Sequence, residues 1–180
     1  MTHNRHFHIL GAPNSELLSN HMISANFLNR NATKWVDMKA EDLVGTYIGC
    51  GQEHVAKDGT VTRPWGQRRP YLSWIVYTKE GLVIVLSTPA DRKPISVKRI
   101  EDASRDELAK MAEGVVAYAG RYEMKDGKVH HNIQVSFFPN WVGRANIRTP
   151  SFEGNLLTLT TEPEEDGSFQ RIFWERVTSA

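Results

Sequence analysis

Asp126-Gly127 stands between two stretches in which apolar and polar residues alternate, and no other feature of the chain constrains its fold as tightly. An Asp-Gly pair in that setting signals a two-residue β-hairpin, because both turn positions need a positive φ. With a two-residue loop, Lys125 faces Lys128, and each further pair lies one residue out on either side. Met124 then faces Val129, Tyr122 faces His131, Gly120 faces Ile133 and Tyr118 faces Val135. Glu123 with His130 and Arg121 with Asn132 form the other set. Facing residues share a side of the sheet and the sides alternate along each strand, so the first, largely apolar set is the interior one. His131 is thereby placed beside Tyr122 in the core, with Tyr118 near. His130 leaves the opposite face, so His130 and His131 cannot hold one metal ion within a regular strand.

The same texture runs on from Leu43. Short apolar stretches over 43–50, 71–78, 82–87, 117–124, 128–138, 141–148, 155–161 and 168–177 are separated by turn residues, among them Lys79-Glu80-Gly81 and Asp166-Gly167. Eight or more strands with no regular strand–helix–strand rhythm predict an all-β, antiparallel domain over 41–180 and exclude a parallel sheet. One helix interrupts them. Ser104-Arg105-Asp106-Glu107 is a capping box, and Leu108, Met111, Ala112 and Val115 follow at helical spacing, which predicts a lid or plug helix over 106–116. Residues 1–40 lack this patterning and read as an irregular or partly helical arm. A short helix over 15–29 fits there, and the arm has room to cover the body or a neighbouring copy. Its His3, His6 and His8 have nothing nearby to fix a metal's geometry, and Asn31-Ala32-Thr33 is a glycosylation sequon only in a secreted chain.

Composition removes several function classes. Twenty-two Lys and Arg against 21 Asp and Glu leave a net charge of +1, which offers no basic excess for nucleic acid. No stretch resembles a secretory signal or a membrane helix, so the expectation is a cytoplasmic protein with no membrane partner. Cys50, the one cysteine, excludes an intrachain disulfide and reads as a small filler. Phosphate loops, dinucleotide fingerprints, nucleophile elbows and zinc-binding His pairs are missing, so no cofactor is expected.

Six segments in order then carry a family likeness: Leu43-Val44-Gly45-Thr46-Tyr47, Ile75-Val76-Tyr77-Thr78-Lys79-Glu80-Gly81, Ala117-Tyr118-Ala119-Gly120-Arg121-Tyr122-Glu123, Val129-His130-His131, Phe138-Pro139-Asn140-Trp141-Val142-Gly143 and Trp174-Glu175-Arg176-Val177. Together, over about residues 41–177, they resemble the lipocalin-like domain family of bacterial and fungal proteins. The resemblance implies an up-and-down barrel around a ligand cavity. Gly45-Thr46-Tyr47 is similar to the Gly-x-Trp opening of lipocalins, and Arg176 on the last strand would cover the ring, a structural plug. A Gly-Tyr pair common at the second hairpin is Ser73-Trp74 here. The family's members are associated with small organic molecules, and the function drawn from it is analogy.

The candidate site follows from the interior set. His131 would move a proton, Tyr122 would orient it or assist as an acid, and Arg148 would steady developing negative charge. Arg144, Asn146 and Arg148 alternate on one face, of which Arg148 is the better candidate for a ligand. Tyr118, Trp74, Tyr77, Phe137, Asn140 and Trp141 are expected to form the walls that bind a substrate. Glu123 and His130 form an exposed cross-strand pair. The leading expectation is cofactor-free acid–base chemistry, of isomerase, cyclase, lyase or hydrolase type, on a small apolar or aromatic metabolite. The alternative is a carrier or sensor that holds its ligand unchanged; a third reading has the barrel packed solid and the N-terminal arm mediating formation of a homo-oligomer.

Overall fold

The computed structural model describes residues 38–63 and 71–178. The features of the arm before Met38, including His3, His6, His8 and Asn31, lie outside the described residues. Nine strands follow one another: β1 (Gly45–Val55), β2 (Val61–Thr62), β3 (Tyr71–Tyr77), β4 (Leu82–Pro89), β5 (Val116–Lys125), β6 (Lys128–Ser136), β7 (Ala145–Glu153), β8 (Leu156–Thr161) and β9 (Phe169–Arg176). Each pairs antiparallel with its neighbour in the order β1-β3-β4-β5-β6-β7-β8-β9, and β9 returns to pair with β1. The result is a closed eight-stranded barrel, with β2 as an extra strand on the far half of β1. Closure leaves the eight wall strands without an unpaired edge.

Alternation places the core. On β3, Ser73, Ile75 and Tyr77 are buried and Leu72 and Trp74 exposed; on β4, Val83, Val85 and Ser87 are buried and Leu82, Ile84 and Leu86 exposed. One end of the barrel is sealed by the turn α1 (Ala40–Leu43), which sets the fully buried Leu43 against Tyr47. The Tyr47 hydroxyl donates to the Leu43 carbonyl at 2.9 Å, and the Tyr122 hydroxyl lies within 3.3 Å of the Ala40 carbonyl. Arg176 lies over the Tyr47 ring, 4.8 Å from its centre, and donates to the Val44 and Asp42 carbonyls. The plug that the family likeness implied is in place.

The hairpin register runs as read from the turn as far as Gly120 opposite Ile133. Beyond it the ladder slips: Ala119, not Tyr118, faces Val135, and Tyr118 faces Ser136. Gly120 lies at the slip. A Cβ there would stand 2.0 Å from the Asn132 carbonyl oxygen, so only glycine admits this backbone approach. The slip keeps Tyr118 inside and turns Val135, expected in the core, out to 67% exposure.

Other boundaries also move. β1 continues to Val55 past an irregularity at Gly49–Gly51, where Cys50 is exposed and so is not a core filler. β6 stops at Ser136, Pro139–Trp141 forms a 3₁₀ turn, and β7 starts only at Ala145 and runs through Pro150 to Glu153. The helix, α2 (Arg105–Ala112), has its capping box, with the Ser104 hydroxyl accepting from the Glu107 amide. None of its residues is buried, which corrects the plug reading. It is clipped instead to the strand-free segment before it, by Ser96 to the Glu107 carboxylate and by Arg92 to the Met111 carbonyl.

Candidate functional site

The inner wall carries a polar group built from strands that are not neighbours. Tyr77 from β3 and His131 from β6 meet across the barrel, with the phenol oxygen 2.7 Å from Nε2. The Tyr118 oxygen from β5 lies 2.9 Å from Nδ1 of the same ring. His131 is 1% exposed. Burial foremost, then the charge of Arg148 and of His130, drives its pKa down to about 3, so the ring is neutral.

A neutral imidazole has one N–H and one bare nitrogen. One phenol therefore donates to His131, while the other accepts from it and must send its own O–H elsewhere. Asn146, opposite His131 on β7, lies against the Tyr118 hydroxyl and favours its ionised form, as an N–H donating to the phenol oxygen does. Burial raises the pKa of both phenols, so they too stay neutral.

Tyr122 faces His131 in the ladder as expected, yet its hydroxyl turns to the plug, donating to the Thr78 carbonyl at 2.9 Å. It packs edge-on against Tyr77, ring centres 4.9 Å apart. The hydrogen-bond partners of His131 are thus Tyr77 and Tyr118, which corrects the pairing with Tyr122. Two further expectations about the walls are corrected. Trp74 is 45% exposed and Phe137 52%, both outside the barrel. On β3 the inward phase belongs to Ser73, Ile75 and Tyr77, which puts Trp74 outward in a row with Ile48 and Leu86. Phe137 lies past the end of β6, after the slip has changed the phase.

Trp141 stands in the 3₁₀ turn and caps Tyr118 edge-on at 5.9 Å, whereas Asn140 beside it is exposed. Arg144 is exposed ahead of β7. Arg148 sits opposite the fully buried Val129 and beside Thr161, so its side chain leaves the inner face of β7. Among the described residues its one hydrogen bond runs to the neighbouring Ile147 carbonyl at 2.7 Å.

Sequence reasoning missed three inner-wall groups. Ser73 and Ser87 share a hydrogen bond across β3 and β4. Gln52 bonds Gln170, which leaves the oxygen of its side-chain amide buried without a partner. Trp174, packed in the core, buries an indole N–H with no acceptor. A third unpaired atom, Arg171 Nε, belongs to the outer face, where Arg171 and Arg63 pair with Glu53. Only the polarity of these residues at inward phase could have flagged them; on β3 and β4, largely apolar on both faces, the phase was not readable, and on β1 it changes at the Gly49–Gly51 irregularity.

Two open grooves, of about 630 and 430 Å3, flank the segment carrying α2, where Arg92, Lys93 and Met111 line both. The larger reaches Tyr71 and Pro89 on the rim opposite the plug. Among the described residues no three His, Cys, Asp or Glu gather as metal ligands, and no helix is long and apolar enough to cross a membrane. Although the residue is exposed on the barrel wall, partial desolvation of its thiol foremost, then Glu175, holds Cys50 up at about 11, far from a nucleophilic thiolate.

Comparison with known proteins gives a relative and two structures. A 64-residue stretch is 31% identical to a 4'-hydroxy-3'-methoxypropiophenone carrier protein of Aspergillus oryzae, covering 31% of this chain and 58% of that one. The chain thus spans little more than half the length of that relative. Two solved redesigned β-barrels, one of them mFAP1 bound to DFHBI, share 12% identity, with TM-scores of 0.39 and 0.37. The alignments cover 77% and 78% of this chain and 98% and 96% of theirs. A lipocalin-like domain model matches residues 44–177, which contain the whole barrel, and the chain belongs to that lipocalin-like domain family.

Proposed function

We propose that the barrel holds a small aromatic metabolite bearing polar oxygens and releases it unchanged, as a carrier. The observation that carries this reading is the pair of buried, unpartnered groups on the inner wall, the Trp174 indole N–H and the Gln52 amide oxygen. A buried donor left without an acceptor costs about 1–3 kcal/mol, and a guest with an oxygen to accept from it and a hydroxyl to donate would recover that cost. The family and the named cargo of the Aspergillus relative point the same way.

The rival reading, acid–base turnover by His131 with Tyr122 and Arg148, asks for a base that titrates near neutrality and has a nitrogen to offer. His131 has both nitrogens engaged and a pKa of about 3. That geometry favours holding over turnover.

The test is titration of the protein with 4'-hydroxy-3'-methoxypropiophenone, followed by tryptophan fluorescence, with the recovered compound identified by mass spectrometry. Saturable quenching with unchanged compound is expected. Consumption of the compound by wild type and not by His131→Gln would replace the carrier with the enzyme, and absence of binding would remove both readings for this class of ligand.

A further inference from the structure

Arg148 poses a charge problem that the fold leaves open. Its side chain leaves the inner face of β7, between Val129 on β6 and Thr161 on β8. It is only partly exposed, and among the described residues no carboxylate lies within ion-pair distance of it. Acids are available elsewhere: Glu53 takes Arg63 and Arg171, and Glu162 takes Lys128. The ion pairs all belong to the outside or the rim.

Around Arg148 the inner wall is neutral. His131 is an uncharged imidazole, Tyr77 and Tyr118 are un-ionised phenols, and Asn146 and Thr161 carry no charge. Its field reaches those three rings, depressing the imidazole and drawing on both phenols, so it shares their space. The single bond to the Ile147 carbonyl uses one of five guanidinium N–H donors. A cation partly withdrawn from water with no counter-ion among the described residues is costly, and a guanidinium fork fits an oxyanion better than any neutral group.

We infer that the molecule held in the barrel carries an acidic oxygen (a phenol, enol or carboxylic acid) that is bound as its anion against Arg148. This deepens the carrier reading and rests on it. The Trp174 indole N–H is a second buried donor on the same inner wall, so the wall offers a guest one charged and one neutral donor besides the Gln52 acceptor. Among the described residues nothing on that wall offers a negative charge, which disfavours a cationic or amine-bearing guest.

Two matched pairs of probes test this by calorimetry: 4-hydroxyacetophenone against 4-methoxyacetophenone, and benzoate against methyl benzoate. Each pair keeps the aromatic body and removes only the acidic oxygen. Wild type is expected to prefer the ionisable member of at least one pair by about tenfold or more, the worth of a hydrogen bond to a charged group. Which pair shows the preference identifies the phenol or the carboxylic acid as the source. Arg148→Met should abolish the preference while keeping the ether or ester affinity, and Arg148→Lys should keep part of it. Bound 4-hydroxyacetophenone should also show the phenolate absorption band in wild type and not in Arg148→Met. Equal affinity within both pairs for wild type would overturn the inference and leave the carrier reading standing, without relying on any variant's folding. A preference that survives in a folded Arg148→Met would overturn the assignment to Arg148. Failure of all four probes to bind would overturn the carrier reading for small aromatics and this inference with it.

Discussion

At the plug, the polar groups that α1 and the strand ends bring inside have partners: the Tyr47 hydroxyl has the Leu43 carbonyl, Tyr122 has Thr78, and the Arg176 guanidinium has two carbonyls and a ring. On the polar wall deeper in the same barrel, the Trp174 N–H and the Gln52 oxygen have none among the described residues, and Arg148 has no counter-ion among them. Both regions are made by the same strands and the same alternation. The difference is what each is completed by. The plug is completed by the chain itself, so it contributes stability; the polar wall is left short of partners, the pattern expected where stability is given up for a ligand.

The largest test of this contrast is at the plug. Leu43→Ala deletes a fully buried side chain that seals one end and should cost about 2–5 kcal/mol in chemical denaturation. A loss well under that would mean α1 is an ornament and the closed end is not the stabilising one.

The next lies at the centre. His131 titrates near 6.5 when free and about 3 in the fold, so the unfolded chain takes up the proton first as pH falls. Its contribution is whole above about pH 6.5 and is lost progressively as pH falls towards 3. Stability measured between pH 7 and about pH 5, above the ordinary carboxylate range, should therefore drop in wild type and stay flatter in His131→Gln. Parallel curves for the two proteins would show that His131 does not set the acid limb.

The smallest effect is expected on the polar wall. Arg148→Met removes a cation with no partner and should leave stability unchanged or raise it by up to about 1 kcal/mol. A clear destabilisation would place Arg148 with the plug, as a group the fold has already satisfied.

Much of the barrel was legible because its signals are local. The Asp126-Gly127 turn set a register that held for six rungs, and glycine-bearing turns marked the β3–β4 and β8–β9 connections. Local signals also misled. Tyr71-Leu72-Ser73-Trp74-Ile75-Val76-Tyr77 is apolar on both faces, so its phase cannot be read from the strand, and Trp74 was put inside. Gly120 looked like an ordinary inward position, because the backbone approach that demands it involves Asn132 on the partner strand. The capping box of α2 was visible, but its apolar stripe carries no information about whether anything lies beneath it.

The candidate site divides along the same line. Membership of Tyr118, Tyr122 and His131 in one interior set followed from the hairpin, since alternation is a property of the backbone. Which phenol holds which nitrogen did not follow, because Tyr77 and His131 are 54 residues apart on strands that never pair. Arg148 was singled out as an inward arginine from its alternation with Asn146; that no acid among the described residues pairs with it could be known only from the folded positions of those acids. By itself, then, the sequence determined the strands, their turns, the family and the residues eligible for the interior, all of which depend on neighbours along the chain. Barrel closure decided which of them touch and which polar groups remain unpaired, because contacts across a lumen depend on shear and strand phase summed around the whole ring.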